Sequence, residues 1–194
     1  MNERDRAAWE MHDFFTRLGV PYAVIGGMAV QHWGEPRFTQ DVDLTIAAPL
    51  EEPGTLVRSI VARFPSRIED PIDFARRNRV ILIRASNGCS VDISLALPGY
   101  EDEVMRRAVA YELEPGKVIR LCSAEDLIIH KAVAGRPQDV RDIEGVVYRQ
   151  RGALDVAYVR LWLRSFSELL ARPDILDSFE RPLKKIQPSR RLQE

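Results

Sequence analysis

The segment Gln40-Asp41-Val42-Asp43-Leu44-Thr45-Ile46 alternates carboxylate or hydroxyl side chains with branched aliphatic ones. Side chains alternate across a β-strand, so Val42, Leu44 and Ile46 share one face and Asp41, Asp43 and Thr45 the other. The apolar face supplies core. On the polar face two carboxylates stand side by side, roughly 6–7 Å apart at Cα from the strand rise. Without a counter-charge they repel and one must bind a proton, whereas a divalent cation resolves the conflict and hard ions such as Mg²⁺ prefer carboxylate oxygen. A second segment, Ser90-Val91-Asp92-Ile93-Ser94-Leu95, repeats the pattern with Asp92 on its polar face. If the two strands are neighbours, Asp92 completes a three-carboxylate cluster. That arrangement suits two cations about 3.5–4 Å apart, clamping the attacking and leaving oxygens of a phosphoryl transfer.

Upstream of the first acidic strand, Tyr22 to Ile25 reads as a short apolar strand closed by Gly26-Gly27, and Met28 to Trp33 as a short helix stopped at Gly34-Glu35-Pro36. Glycine lets backbone N–H groups approach a phosphate, and a helix N-terminus adds partial positive charge. Between glycines and aspartates lie Arg37, whose guanidinium matches phosphate geometry, and Thr39, which either bonds a phosphate or caps the loop. A strand, a glycine turn, a helix and an acidic strand thus place a phosphate cradle and a carboxylate pair in one unit.

The remaining elements follow from periodicity and punctuation. Residues 4–18 show helical spacing ended by Gly19; Asp41 to Ala47 is a strand and Leu50 to Phe64 a surface helix. Arg79 to Ala85 and Ser90 to Ala96 form a hairpin around Asn87-Gly88. Tyr100 to Val109 is helical, and Tyr111 to Glu114 and Lys117 to Leu121 flank the Pro115-Gly116 turn. Helices are predicted at about 124–134, 137–151 and 155–171. The expected fold class is α/β (α+β), a mixed sheet flanked by helices and followed by a small helical part. Its divisions are a catalytic domain over 1–122, a helical subdomain over 123–180 and a basic, mobile tail over 181–194.

Composition narrows the partners. Of 194 residues 45% are hydrophobic and 29% charged, with a formal net charge of -1, which argues against binding nucleic acid through bulk positive charge. A local basic groove from Arg76, Arg77, Arg79 and the tail stays open. Cys89 and Cys122 are too few for a disulfide framework or a zinc site and read as buried thiols in a reducing compartment. No apolar run reaches the roughly 18 residues of a membrane span, and the charged N-terminus has no signal-peptide core, so the expected location is the cytoplasm. His32 and His130 read as packing or surface residues.

With these residues in view, Ile25-Gly26-Gly27-Met28-Ala29 followed by Arg37-Phe38-Thr39-Gln40-Asp41-Val42-Asp43-Leu44 resembles the signature of the DNA polymerase β-type nucleotidyltransferases. Within that superfamily it is most similar to the abortive-infection type, the toxin halves of some bacterial toxin–antitoxin systems. A later stretch, Ser123-Ala124-Glu125-Asp126-Leu127 through Lys131, then Arg136, Asp139 and Asp142, is similar to the same family's distal motif. The resemblance spans about residues 22–143. It implies Mg²⁺ and transfer of a nucleoside monophosphate from a nucleoside triphosphate (NTP) to an acceptor hydroxyl on tRNA or protein, with a cognate antitoxin as partner. It also implies Asp41, Asp43 and Asp92 as metal ligands and catalytic groups. Gly26, Gly27, Arg37, Thr39 and Lys131 are implied at the nucleotide, with Arg136, Asp139 and Asp142 in support. Many members of the wider superfamily carry Gly-Ser at the turn. Here Gly27 stands second, so the hydroxyl contact falls to backbone N–H or Thr39. Two other readings stay open: an inactive nucleotide-binding module of the same fold, and a small-molecule, antibiotic-type adenylyltransferase.

From the residues themselves, Ser123 and Asp126 read as a helix start, and Lys131 as a lysine at the edge of an apolar helix face. Pro137 opens the next helix, and Asp139 and Asp142 are neighbours on it.

Overall fold

The computed structural model describes residues 1–51 and 53–186. These residues form two compact units: Met1–Ala29 with Phe38–Ser123, and Val30–Arg37 with the chain from Ala124 onward. Helix α2 (Gly26–Trp33) begins in the first and ends in the second.

The first unit is a six-stranded mixed sheet with helices. Its strands are β1 (Tyr22–Val24), β2 (Val42–Ile46), β3 (Val80–Arg84), β4 (Ser90–Leu95), β5 (Val109–Glu114) and β6 (Lys117–Leu121), in the order β3-β4-β2-β1-β6-β5. β2 lies inside, antiparallel to β1 and parallel to β4. The alternation read from sequence sets the packing: Val42, Leu44 and Ile46 on β2 and Val91 and Ile93 on β4 are fully buried. Against the sheet lies α1 (Glu3–Leu18), with Ala7, Ala8, Met11 and Phe15 inward at helical spacing. Asn2 caps its start by accepting from the Asp5 N–H at 2.8 Å, and Gly19 ends it in the left-handed conformation. Phe14 meets Phe64 edge-on at 5.0 Å.

The helix expected over Leu50 to Phe64 begins only at Gly54, as α3 (Gly54–Arg63), because Pro53 and Gly54 interrupt the pattern. A further helix, α4 (Pro71–Asn78), fills a stretch where periodicity predicted no element. Its signals were nevertheless present: the Asp70 carboxylate accepts from the Asp73 N–H at 3.1 Å, and Pro71 stands in the first turn. Helix α5 (Tyr100–Arg107) closes the polar face beyond the aspartates. Its Glu101 accepts a hydrogen bond from Thr45 Oγ1 at 3.2 Å, so Thr45 on the polar face of β2 is buried.

The second unit holds α6 (Ala124–Ala134), α7 (Pro137–Arg149), α8 (Val156–Leu169) and α9 (Asp174–Ile186). Leu127, Ile128, Ile143, Val146, Val147, Val159, Leu163, Ile175 and Phe179 form its core. Asp126 is buried and accepts from the Tyr158 hydroxyl at 2.8 Å. The tail expected to be mobile from Arg181 is corrected over 181–186. Those residues end α9, where Pro182 and Leu183 continue the buried face of Ile175 and Phe179. Residues 187–194 of that tail lie outside the described residues. Cys122 is buried as expected, but Cys89 is only half-buried, at the hairpin turn. Among the described residues no helix is long and apolar enough to cross a membrane.

Candidate active site

The two acidic strands, whose adjacency the sequence left open, are neighbours in the sheet. In the parallel pairing of β2 with β4, Asp43 is the direct partner of Asp92, and Val42 and Leu44 pair with Val91 and Ile93. Both aspartates therefore sit on one face of the sheet, half-buried, while Asp41 is exposed in the bend just before β2. Burial pushes the Asp92 carboxyl up. Arg67 opposes that shift, and the negative charge of Asp41 adds to it.

The glycines pack against these groups. Gly26 is itself the first residue of α2, with φ +61°, so the glycine pair forms the helix start and not a turn ahead of it. A Cβ at Gly26 would fall on the Asp43 carboxylate, 2.5 Å from Cγ and 2.7 Å from Cβ. A Cβ at Gly27 would fall 2.5 Å from Thr39 Oγ1. The Gly27 N–H points at Asp43 Oδ2 at 3.4 Å. Glycine is thus required at both positions because the backbone of a helix start approaches Asp43 and Thr39 more closely than any side chain allows. Gly26, Gly27, Thr39, Asp41, Asp43 and Asp92 form one neighbourhood in the first unit.

Arg67 belongs to that neighbourhood, and sequence reasoning missed it. Residues 65–67 run along the outer edge of β3: Ser66 bridges Ile83, the Arg67 N–H donates to Leu82 O at 2.9 Å, and the Arg84 N–H to Pro65 O at 2.9 Å. Leu82 is in turn the register partner of Asp92. From that edge the Arg67 guanidinium reaches over β3 and forms an ion pair with Asp92. Its Nε is buried without a hydrogen-bond partner. Nothing in the local sequence marks Arg67; only the pairing of its segment with the edge of β3, and the register of β3 with β4, bring it to Asp92.

The remaining predicted residues meet in the second unit. The Lys131 ammonium, 7% exposed, lies 2.9 Å from Asp139 Oδ1 and 2.8 Å from Asp142 Oδ2. Arg37 forks onto Asp142, Nε to Oδ1 at 2.9 Å and a terminal nitrogen to Oδ2 at 3.1 Å. Arg136 donates to Asp139 from Nε at 2.6 Å, and Gln138 to Asp142 at 2.9 Å. Burial pushes both carboxyls up, but Arg136 and Lys131 at Asp139, and Arg37, Lys131 and Gln138 at Asp142, outweigh it and hold both below the usual carboxylate range. Arg37 is therefore not a loose surface arginine, and a contact with phosphate would be made at the expense of its pair with Asp142. Lys131 is buried in ion pairs rather than snorkelling at a face edge, and a contact with triphosphate would be made at the expense of one of those pairs.

The fit of a divalent cation rests on the donor set. Asp41, Asp43 and Asp92 offer only hard carboxylate oxygen, which suits Mg²⁺. Among the described residues, however, no three acidic, histidine or cysteine side chains are gathered closely enough to enclose an ion, and the Asp92 carboxylate is engaged by Arg67.

The sequence matches no family model and no curated protein. Solved structures are more informative. The chain is similar to an antigenic nucleotidyltransferase-like protein from Paracoccidioides brasiliensis at 17% identity and TM-score 0.54, over 92% of each chain. It is also similar to the antibiotic-resistance factor ANT(2'')-Ia at 19% identity and TM-score 0.55, over 88% of this chain and 95% of that one. The fold is that of the nucleotidyltransferases. A second structure of ANT(2'')-Ia, in complex with adenylyl-2''-tobramycin, matches at 18% identity and TM-score 0.51, over 86% of this chain and 99% of that one. At such identities the nucleotidyltransferase likeness speaks for the architecture, and chemistry has to be argued from the side chains.

Proposed function

We propose that the protein is a Mg²⁺-dependent nucleotidyltransferase that moves a nucleoside monophosphate from an NTP to an acceptor hydroxyl, with pyrophosphate as the leaving group. The observation that carries this reading is the direct register of Asp43 with Asp92 beside a helix start whose glycines admit nothing larger than hydrogen. An inactive binding module has no need of paired acids on the sheet face, so the pairing favours transfer over the module.

In this reading Asp41 and Asp43 hold the divalent ion, which when bound neutralises charge on the transferring phosphoryl group. Backbone N–H groups at the start of α2 and the Thr39 hydroxyl orient phosphate oxygens. Asp92 accepts the proton of the acceptor hydroxyl, a role worth about 10²–10⁴-fold in rate. Lys131 on α6, with Arg37 and Arg136, fixes Asp139 and Asp142 and braces α7, which carries both. The acceptor is tRNA or protein, and the chain acts as the toxin of a toxin–antitoxin pair with a cognate antitoxin as its partner.

The test incubates purified protein with Mg²⁺, each labelled NTP, and in turn total RNA, a protein extract and an aminoglycoside such as tobramycin. Asp43→Ala serves as control. Label on RNA or protein that depends on Asp43 supports the reading. Label on the aminoglycoside alone replaces the acceptor class with the small-molecule one. Nucleotide binding without transfer to any acceptor refutes the enzyme reading.

A further inference from the structure

Arg67 is placed with more backbone support than a loop arginine needs. The segment 65–67 is fixed to the outer edge of β3 by two backbone hydrogen bonds, the Arg67 N–H to Leu82 O and the Arg84 N–H to Pro65 O, which together make the Ser66–Ile83 bridge. Ser66 rigidifies the turn further, accepting from the Ile68 N–H at 3.1 Å while donating to Ile68 O at 2.8 Å. Arg67, Leu82, Asp92 and Asp43 thereby form a transverse row across β3, β4 and β2. The row carries the charges plus, none, minus, minus, and Asp41 adds a third negative charge close enough to act on Asp92.

The guanidinium meets Asp92 through one terminal nitrogen, and its Nε is buried unpaired. The contact is a single-nitrogen one and not the two-nitrogen fork that arginine frequently makes with carboxylate. A fixed positive charge at this point is what the geometry provides. It neutralises one of three acids without a cation, at the carboxylate that the three-acid arrangement would share with a second ion.

We infer that Arg67 takes the place of one of the two cations expected here. The chain holds a single divalent ion at Asp41 and Asp43, and Asp92 stays tethered by Arg67 and open to the acceptor hydroxyl. The inference rests on the transferase reading above, and it makes Arg67 a positioning residue, since it acts through Asp92.

The test counts ions directly. Mn²⁺ is titrated into the full chain, unbound ion and nucleotide are removed by rapid gel filtration, and the Mn²⁺ retained per chain is released with acid and counted by electron paramagnetic resonance. The α,β-methylene analogue of each of the four ribonucleoside triphosphates is present at saturation in turn. Native protein, Arg67→Met, Arg67→Lys and Asp43→Asn are compared after circular dichroism has shown each to be folded. The expected counts are one Mn²⁺ per chain for native protein and Arg67→Lys, two for Arg67→Met, and loss of binding for Asp43→Asn. Two ions on the native chain, or one on folded Arg67→Met, overturn the inference and leave the transferase reading standing. Absence of Asp43-dependent Mn²⁺ binding by the native chain with every analogue overturns the metal reading, and the inference with it. Should Arg67→Met not fold, Arg67→Gln takes its place, and a native count of two overturns the inference on its own.

Discussion

Replacing Gly26 with alanine tests the close approach on which the site is built. Two costs follow from the structure. The backbone at Gly26 has φ +61°, where an L side chain is disfavoured by about 1–2 kcal/mol. The new Cβ would also lie 2.5 Å from Asp43 Cγ and 2.7 Å from Asp43 Cβ. Rotation of the Asp43 side chain can move Cγ and the carboxylate away, but Cβ is fixed by the strand, so part of the overlap remains and costs about 1–3 kcal/mol. The sum is about 2–5 kcal/mol of stability. With a urea slope of about 2 kcal/mol per molar, that lowers the unfolding midpoint by about 1–2.5 M. The displaced carboxylate should also cost transfer activity about 10²-fold, the usual penalty for an ångström of misplacement. The decisive measurement repeats Gly26→Ala in an Asp43→Gly background, where the collision is gone and only backbone strain remains. The loss should then shrink to about 1–2 kcal/mol. Equal losses in both backgrounds, within about 0.5 kcal/mol, would show that the two residues do not collide and that close approach to Asp43 is not what requires glycine at position 26.

Three further outcomes are expected. Lys131→Met leaves two buried carboxylates with Arg136 at Asp139 and with Arg37 and Gln138 at Asp142, and should destabilise the protein by about 3–5 kcal/mol, read from urea unfolding; a loss below about 1 kcal/mol contradicts the ion-pair account. Asp139 and Asp142 are held below their usual value of 3.8, so the stability they contribute is fully present above that pH and drains away as pH falls through their depressed folded values. Unfolding free energy should therefore drop below about pH 4, and more gently in Lys131→Met; an unchanged acid slope argues against these two groups. Tyr22, whose hydroxyl accepts from the Arg120 N–H at 3.0 Å and bonds His12 Nδ1 at 2.7 Å, is pushed up to about 12 by burial, against the hydrogen bond from Arg120. The stability tied to its neutral form is present below pH 10 and is lost as pH rises through about 12, so ultraviolet absorbance should show one phenol titrating late, absent in Tyr22→Phe.

Strand alternation made the acidic faces of β2 and β4 legible from the residues alone, because one fully apolar face and one polar face leave a single way to bury the chain. The hairpin from β3 to β4 followed from Asn87-Gly88, and the start of α7 from Pro137. What sequence did not carry was partnership across distance. Whether Asp92 would stand beside Asp43 depended on a parallel crossover that no local pattern encodes, and Arg67 entered only through the edge pairing of residues 65–67 with β3. The same holds for Lys131, whose helical spacing placed it at the margin of an apolar face. Its burial is decided by Asp139 and Asp142 presenting two carboxylates to one ammonium.

The tail shows the complementary failure. Lys184, Lys185 and Pro182 read as the composition of an unanchored segment, yet Ile175, Phe179 and Leu183 recur every four residues and are all buried. Average polarity hid a periodic stripe, and the stripe decides, because about 25 cal/mol per Å² of buried apolar surface outweighs weak helix propensity over a few residues. The two glycines at the site invert that relation. A Gly-Gly pair is permissive by propensity and predicts little by itself, but a Cβ would meet Asp43 Cγ or Thr39 Oγ1 at 2.5 Å at these two positions, whereas at Gly19, Gly88, Gly99 and Gly116 it would meet nothing within 4 Å. Position 26 is tied to Asp43 and position 27 to Thr39. A change at either glycine therefore acts first on the carboxylate proposed for the ion or the hydroxyl proposed for phosphate, before it acts on the helix.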